Sequence, residues 1–172
     1  MRKPNSIASY AALTAIAIQA NQNDQHGGQS IPNLDRMLAP GVKCSFKKNI
    51  KNNIISSLTL LDDIGIEAAV KKADETINEM EKFFEINFDN RTQIVSFINK
   101  SGISGHGDKI VEIAIRDTDK QTYQAMEGLV HHLNTMNSSA GAQVPFSSVN
   151  YGTDSSPEGR MIVKNLLLAT EA

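Results

Sequence analysis

The segment from Asn21 to Pro32, NQNDQHGGQSIP, combines paired glycines with polar side chains that are suited to a small ligand. The glycines permit backbone turns that other residues avoid, and they let backbone amides approach a ligand closely. The flanking amide and imidazole groups offer hydrogen-bond donors and acceptors for a nucleobase or a ribose. A polar connection between two structural elements would use the same residue types, so both interpretations stay open. The candidate ligand-contacting residues are Gln25, His26, Gly27, Gly28 and Gln29.

A second polar stretch, AQVPFSSVNYGTD followed by SSPEGR, contains the best strand candidate of the chain, Ala142–Val149. A strand that leads into a helix N-terminus is a natural phosphate site, because free amides and the helix dipole point at it. Asp154 and Glu158 would repel a phosphate, however, and Ser155 is expected to cap the helix. Phosphate binding and structural capping are therefore competing interpretations. The candidate ligand-contacting residues are Gln143, Ser147, Ser148 and Asn150.

The other residues with catalytic or metal-binding potential lack the neighbours that such chemistry needs. Cys44 is the only cysteine, and we interpret it as an ordinary residue near a helix start. The loop GISGHGDK lacks the Gly-Lys-Ser/Thr ending of a phosphate-binding P-loop, so we expect a surface turn. His131 and His132 are adjacent and would point to different faces of a helix. The sequence therefore predicts no metal site.

Apolar residues recur every three to four positions along most of the chain, which predicts a helix-rich fold with few strands. The predicted helices run from an N-cap at Asn5 or Ser6 to about Ala20, from Val42 to about Leu61, from Ile66 to Phe84, from a capping box at Thr118 to about Met136, and from Pro157 onward. Asn21–Pro40 is predicted to be a loop with one short extended segment, and Ala39–Pro40–Gly41 a turn. Thr92–Asn99 and Ile110–Ile115 fit either a helix or a strand.

The composition is that of a globular protein without a dominant surface charge. Hydrophobic residues make up 40% and charged residues 21%, and the net charge is -2. This balance gives no electrostatic footprint for binding nucleic acid or an anionic membrane. A single cysteine excludes an internal disulfide and favours a reducing cytoplasm. No stretch reaches the ~18 apolar residues of a membrane-spanning helix, and no signal peptide is convincing.

Three stretches, Arg2–Val42, Gln121–Arg160 and Met161–Ala172, are more particular than a generic helical domain requires. Together they resemble the anaerobic ribonucleoside-triphosphate reductase family, glycyl-radical enzymes that make deoxynucleotides without oxygen. The most specific part of the resemblance is AGAQVPFSSVNYGTDSSPEGR. Residues 43–120 are helical in pattern and match the family poorly.

The resemblance implies an α/β, helix-rich fold, a single incomplete segment of the ten-stranded glycyl-radical-enzyme barrel over residues 1–172. It implies reduction of the ribose 2′-hydroxyl of a ribonucleoside triphosphate by a glycyl radical that passes to a cysteine thiyl radical, with formate as the reductant. It also implies a homodimer, ATP or deoxynucleotide effectors, a C-terminal four-cysteine zinc site, and a partner iron–sulfur activase that uses S-adenosylmethionine. The polar residues after Ala142 would line the barrel interior, and the Asn21–Pro32 segment resembles the layout of effector-reading loops.

The resemblance also predicts that this chain is incomplete. The family's radical glycine has Arg before it and Tyr after it, and Gly102, Gly105 and Gly107 lack those flanks. Cys44 matches none of the family's cysteine motifs, and the last helix has no stop signal. We therefore expect an internal piece of a cytoplasmic reductase that is inactive alone. The alternative is a non-catalytic fragment of the family that binds a nucleotide or a partner chain.

Overall fold

The computed structural model describes residues 2–24, 27–104, 106–135 and 146–172. The chain divides into two compact units: unit 1 comprises Met1–Val42 and Asp119–Ala172, and unit 2 comprises Lys43–Thr118. The elements in chain order are α1 (Ile7–Asp24), β1 (Gln29–Ile31), α2 (Leu34–Leu60), α3 (Ile66–Glu81), α4 (Arg91–Lys100), α5 (Gly107–Thr135), β2 (Ser147–Val149) and α6 (Pro157–Glu171). The two strands pair in parallel. The predicted helix-rich character, with few strands, is confirmed.

Helix α1 begins as the sequence predicts and extends further. The Ser6 hydroxyl accepts a hydrogen bond from the Ser9 backbone amide at 3.2 Å, which is the geometry of an N-cap. The helix continues to Asp24 rather than ending near Ala20. Residues 21–24 and 34–40, at the two ends of the predicted Asn21–Pro40 loop, are therefore helical, and the predicted extended segment is the three-residue strand β1.

The predicted turn at Ala39–Pro40–Gly41 is wrong, because α2 runs through it without interruption. Leu34, Leu38 and Val42 recur at helical spacing and are fully buried, so packing in unit 1 favours the helix over the local turn signal. Pro40 removes one backbone hydrogen bond, which the burial of this face offsets. Gly41 permits a close approach, since a Cβ there would lie 3.0 Å from the ring of Tyr10.

The predicted helix start at Thr118 is also wrong, because α5 is continuous from Gly107 to Thr135. The Thr118 hydroxyl donates to the Ala114 carbonyl at 2.7 Å and accepts from the Asn49 side-chain amide at 2.9 Å. Within a continuous helix the backbone amides are already bonded to carbonyls one turn earlier, so the Thr118 hydroxyl has no free amide to cap. It bonds to Ala114 and Asn49 instead. The two ambiguous segments, Thr92–Asn99 and Ile110–Ile115, are both helical.

Unit 2 has its own apolar core, formed by helices α3 and α4 and by the parts of α2 and α5 that it contains. The Phe46 and Phe88 rings pack edge to face, with their centroids 4.7 Å apart. Three lysines spaced one helical turn apart on α2 pair with acidic residues of α3 and the segment after it. The pairs are Lys43 with Glu85, Lys47 with Glu81, and Lys51 with Asp74. These pairs are solvent-exposed and contribute little stability individually.

Candidate functional site

The parallel pairing of β1 and β2 brings the two polar stretches of the sequence side by side in unit 1. Gln29 lies opposite Ser147, Ser30 opposite Ser148, and Ile31 opposite Val149. The backbone amide of Gln29 donates to the Phe146 carbonyl at 2.8 Å, and that of Asn150 donates to the Ile31 carbonyl at 2.9 Å. The structure therefore places candidate residues from both ends of the sequence in one short sheet.

The two faces of this sheet differ in character. Successive side chains in a strand point to opposite faces, so Ser30 and Ser148 share one face and Ile31 and Val149 the other. Ser30 and Ser148 are exposed, whereas Ile31 is buried and Val149 half-buried. The hydroxyls of Ser30 and Ser148 are therefore neighbours on an open polar face. Asn150 follows β2 directly and is also exposed.

The opposite face borders an apolar groove of about 490 Å³ between β2 and helices α5 and α6. Its lining residues are Val130, Leu133, Asn134, Phe146, Ser147, Val149, Tyr151, Leu166, Leu167 and Thr170. The Ser147 hydroxyl is buried and has no hydrogen-bond partner among the residues that the structure describes. Ser147 and Ser148, adjacent in sequence, therefore face an apolar groove and an open polar face respectively.

Gln29 belongs with the helix-facing side of the sheet. In the orientation that satisfies both ends of its carboxamide, its nitrogen donates to the Ile18 carbonyl at 3.1 Å and its oxygen accepts from the Gln22 amide at 2.8 Å. The Ile18 carbonyl and the Gln22 amide are four residues apart, so in a regular α-helix they would be hydrogen-bonded to each other. The Gln29 side chain thus binds the last turns of α1.

The glycines before β1 differ in what they require. Gly27 has φ +134°, a conformation that residues with a side chain rarely adopt. A Cβ on Gly28 would lie 3.4 Å from the Phe146 carbonyl oxygen, an ordinary van der Waals contact, so a small side chain could be accommodated there. Gln25, His26 and Gln143 lie outside the described residues.

The loop after β2 is organised by Asp35, a residue of the first turn of α2. Its buried carboxylate accepts hydrogen bonds from the amides of Gly152 at 3.0 Å and Asp154 at 2.9 Å. Burial alone would raise the pKa of Asp35, but the backbone N–H donors outweigh it and hold the pKa below its ordinary value. The carboxylate is therefore ionised at neutral pH and positions the NYGTD turn.

The same loop caps α6 by a relay of side chains. Asp154 accepts from the Ser156 amide at 2.8 Å, and the Ser156 hydroxyl accepts from the Gly159 amide at 3.1 Å. The N-cap is thus Ser156 rather than the predicted Ser155. A Cβ on Gly159 would lie 2.6 Å from the Asp154 carboxyl carbon, so glycine is required there. Asp154 and Ser156 occupy the helix N-terminus, as the structural-capping interpretation expects.

Sequence reasoning missed Ser30 and Asp35. Ser30 was flanked by more conspicuous glycines and glutamines, and only the register with Ser148 distinguishes it. The only sequence feature that points to Asp35 is its position as an acidic residue in the first turn of a helix. The amides that it binds, those of Gly152 and Asp154, lie more than a hundred residues away along the chain.

The described part of the chain shows neither a metal cluster nor a membrane helix. No three His, Cys, Asp or Glu residues converge among the described residues. A four-cysteine zinc site cannot be assembled from a sequence with one cysteine. No helix in residues 2–24, 27–104, 106–135 or 146–172 is long and apolar enough to cross a membrane.

Comparison with known proteins identifies the family over the full length of the sequence. The family model for anaerobic ribonucleoside-triphosphate reductase matches residues 1–172, including the middle segment. No curated protein matches the chain significantly. The chain belongs to the anaerobic ribonucleoside-triphosphate reductase family.

Proposed function

We propose that this chain forms part of the barrel wall of an anaerobic ribonucleoside-triphosphate reductase and contacts nucleotide through the open face of β1 and β2. The contacting residues are Gly28, Ser30, Ser148 and Asn150. The observation that carries the proposal is the parallel register, which sets Ser30 beside Ser148 on an exposed polar face. Adjacent hydroxyls can donate to and accept from the phosphate or ribose oxygens of a nucleoside triphosphate.

The positions of the other candidates refine this proposal. Gln29 is engaged by α1 and Ser147 borders the apolar groove, so neither supports a direct ligand contact. Asp35 acts indirectly, because it fixes the turn that begins at Asn150. The Gln29 side chain is therefore a positioning group, Ser147 takes no part in ligand binding, and Ser30 and Ser148 are contact groups.

The radical chemistry of the proposed reaction lies outside these residues. The glycyl radical installed by an S-adenosylmethionine iron–sulfur activase would supply a radical that is regenerated in each turnover, and formate would supply the two electrons of the reduction. Cys44, the single thiol, is a half-buried residue within α2. Its groove neighbours are Lys43, Lys47 and Glu81 of unit 2 rather than the sheet residues. We therefore propose that the chain is incomplete as a catalyst, works in the cytoplasm with the remaining reductase sequence, and takes ATP or deoxynucleotides as effectors.

The alternative function is a non-catalytic family member that binds nucleotide or a partner chain. Both functions use the same binding face and differ only in whether the assembled protein turns over substrate. A reconstitution experiment therefore distinguishes them. Adding polypeptides that carry the finger-loop cysteine and the glycyl motif restores deoxynucleotide formation under the first proposal and leaves none under the alternative.

Binding itself is tested with a matched pair of serines. Ser148→Ala should weaken the affinity for a ribonucleoside triphosphate, measured by calorimetry, by about five-fold to ten-fold, since one hydrogen bond is lost. Ser147→Ala removes the same hydroxyl group from the neighbouring residue, whose side chain lies on the opposite face of the sheet. This substitution should leave the affinity unchanged. Equal effects of both substitutions, or no binding to the folded parent, would overturn the proposal.

A further inference from the structure

We infer that a groove between helices α4 and α5 of unit 2 binds an amphipathic helix of a partner protein, one that carries basic residues along an edge of its apolar stripe. The groove has a volume of about 400 Å³. Its lining residues are Arg91, Thr92, Val95, Asp108, Val111, Glu112 and Ile115. All of them belong to unit 2, so the inference is independent of the proposed nucleotide face in unit 1.

The floor of the groove is apolar and continuous with the core of unit 2. Val111 is a buried core residue, and the half-buried side chains of Val95 and Ile115 pack against that core. Val111 and Ile115 lie one helical turn apart on α5, so they present neighbouring apolar surfaces to the groove. Covering this floor with apolar side chains removes it from water, which favours binding.

The two helices that border the groove are held close together. A Cβ on Gly107 would lie 2.8 Å from the Val95 carbonyl oxygen and 2.7 Å from the side-chain oxygen of Asn99, so glycine is required for this approach. The Gly107 amide donates a hydrogen bond to the same Asn99 oxygen at 3.0 Å. The start of α5 is therefore fixed against α4. A groove that is formed in advance lowers the entropic cost of binding.

The backbone around the groove favours a helical partner over an extended one. The described part of unit 2 consists of helices and the turns between them, so no strand edge there could pair with an extended peptide. Such a peptide would leave its backbone N–H and C=O groups without partners over an apolar floor, which is costly. A helix bonds these groups internally. The run from Asp108 to Ile115 spans about 10 Å of α5, the length of about two turns of a partner helix.

The two rims of the groove carry opposite charges. Asp108 and Glu112 lie one turn apart on the α5 rim, Arg91 lies on the α4 rim, and all three side chains are exposed. None of the three forms an ion pair with another residue in the part of the chain that the structure describes. Carboxylates one turn apart repel each other, and basic residues of a partner placed beside them relieve that repulsion. The partner helix therefore carries basic residues along its edge over α5 and an acidic residue near Arg91.

Fluorescence anisotropy of two labelled synthetic helical peptides, titrated with the whole chain, tests this inference. Both peptides carry a stripe of leucines at helical spacing. The first has two lysines four residues apart along one edge of the stripe, and the second has glutamates in their place. The lysine peptide should bind about five-fold more tightly at low salt, and high salt should reduce the difference. Absence of binding by the lysine peptide, or equal affinity of the two peptides, would overturn the inference.

Substitutions with matched controls locate the binding. Glu112→Lys should weaken binding of the lysine peptide about five-fold and strengthen binding of the glutamate peptide. Glu75→Lys makes the same charge change at an exposed position of α3 and should leave both affinities within about two-fold of the parent. Val95→Ala removes two methyl groups from the floor and should weaken binding of the lysine peptide about five-fold. Ile113→Ala truncates a 37% exposed residue of α5 that does not line the groove, and it should have no effect.

The outcomes separate this groove from other sites on the chain. Equal effects within either matched pair would overturn the assignment of binding to this groove. Self-association of the chain that Glu112→Lys abolishes, measured by light scattering, would assign the groove to a second copy and overturn the partner helix. Circular dichroism verifies that each variant is folded.

Discussion

The buried carboxylate of Asp35 accepts a hydrogen bond from the backbone amide of Asp154 at 2.9 Å. This hydrogen bond links the start of α2 to the loop between β2 and α6. The same oxygen accepts the amide of Gly152 at 3.0 Å. One side chain near the beginning of the sequence therefore determines the path of a turn near its end. Because Asp154 in turn accepts from Ser156, the effect extends to the cap of α6.

Asp35→Asn should destabilise the chain by about 1–3 kcal/mol, because hydrogen bonds to a charged acceptor become bonds to a neutral one. The free energy of unfolding from urea titration measures this loss. Asp89→Asn, a control at an exposed aspartate, should stay within about 0.5 kcal/mol of the parent. Equal stability of the two variants would contradict the structural role of Asp35.

The pH dependence of stability should carry the signature of the same residue. The pKa of Asp35 is lowered in the folded state, so its contribution is complete above the unfolded value of about 4. The contribution is lost as the pH falls through the lower folded pKa. Asp35→Asn should therefore flatten the acid limb of the stability curve below about pH 4, measured by thermal melts across pH. An unchanged acid limb would mean that another carboxylate dominates.

Gly152→Ala should cost about 1–3 kcal/mol, because Gly152 has φ +96° and an L side chain is strained there. Gly128 provides the control, since it lies exposed within α5 and a Cβ there would meet nothing within 4 Å. Gly128→Ala should be neutral or stabilising, because alanine favours the helix and restricts the unfolded chain. Urea unfolding compares the pair, and a neutral Gly152→Ala would show that this turn tolerates another conformation.

Thr118→Val should destabilise the chain by about 1–3 kcal/mol, because it removes the hydroxyl that accepts from buried Asn49. Thr135→Val serves as the comparison. Thr135 makes the same bond to the carbonyl four residues earlier, but at an exposed site. That substitution should change stability by less than about 0.5 kcal/mol. A similar loss of stability in both variants would show that the hydroxyl acts through its bond within the helix and not through the contact with Asn49.

The isolated chain should form no deoxynucleotide under anoxic conditions with a ribonucleoside triphosphate, formate, the activase and S-adenosylmethionine. The sequence has one cysteine, within α2, and its Gly102–Gly107 loop lacks the flanks of the radical glycine. Positioning of substrate supplies large rate factors but cannot replace a missing radical carrier. Mass spectrometry of products and electron spin resonance check this, and any product or glycyl radical from this chain alone would contradict the placement of both groups.

Local signals predicted most helices well, and the errors arose where distant packing decides. Pro40 and Gly41 form a strong turn signal, yet the buried face of Leu34, Leu38 and Val42 keeps the chain helical. Thr118 fits a capping pattern equally well at a helix start or, as here, within a helix that has a buried partner.

The candidate site shows the same limit more sharply. Sequence patterns located both polar stretches, but their parallel pairing joins segments far apart along the chain. Ser147 and Ser148 are chemically identical, and a three-residue strand is too short for periodicity to reveal which one faces the apolar groove. Only the register and the burial of neighbours assign them.

Photo-crosslinking with an azido-substituted ribonucleoside triphosphate tests the central claim most directly, because it identifies the residues in contact with bound nucleotide. The account predicts that label appears on the open face of the strand pair, at Gly28, Ser30, Ser148 or Asn150, and that excess unmodified nucleotide suppresses it. Saturable label on unit 1 that avoids β1 and β2 altogether would contradict the account.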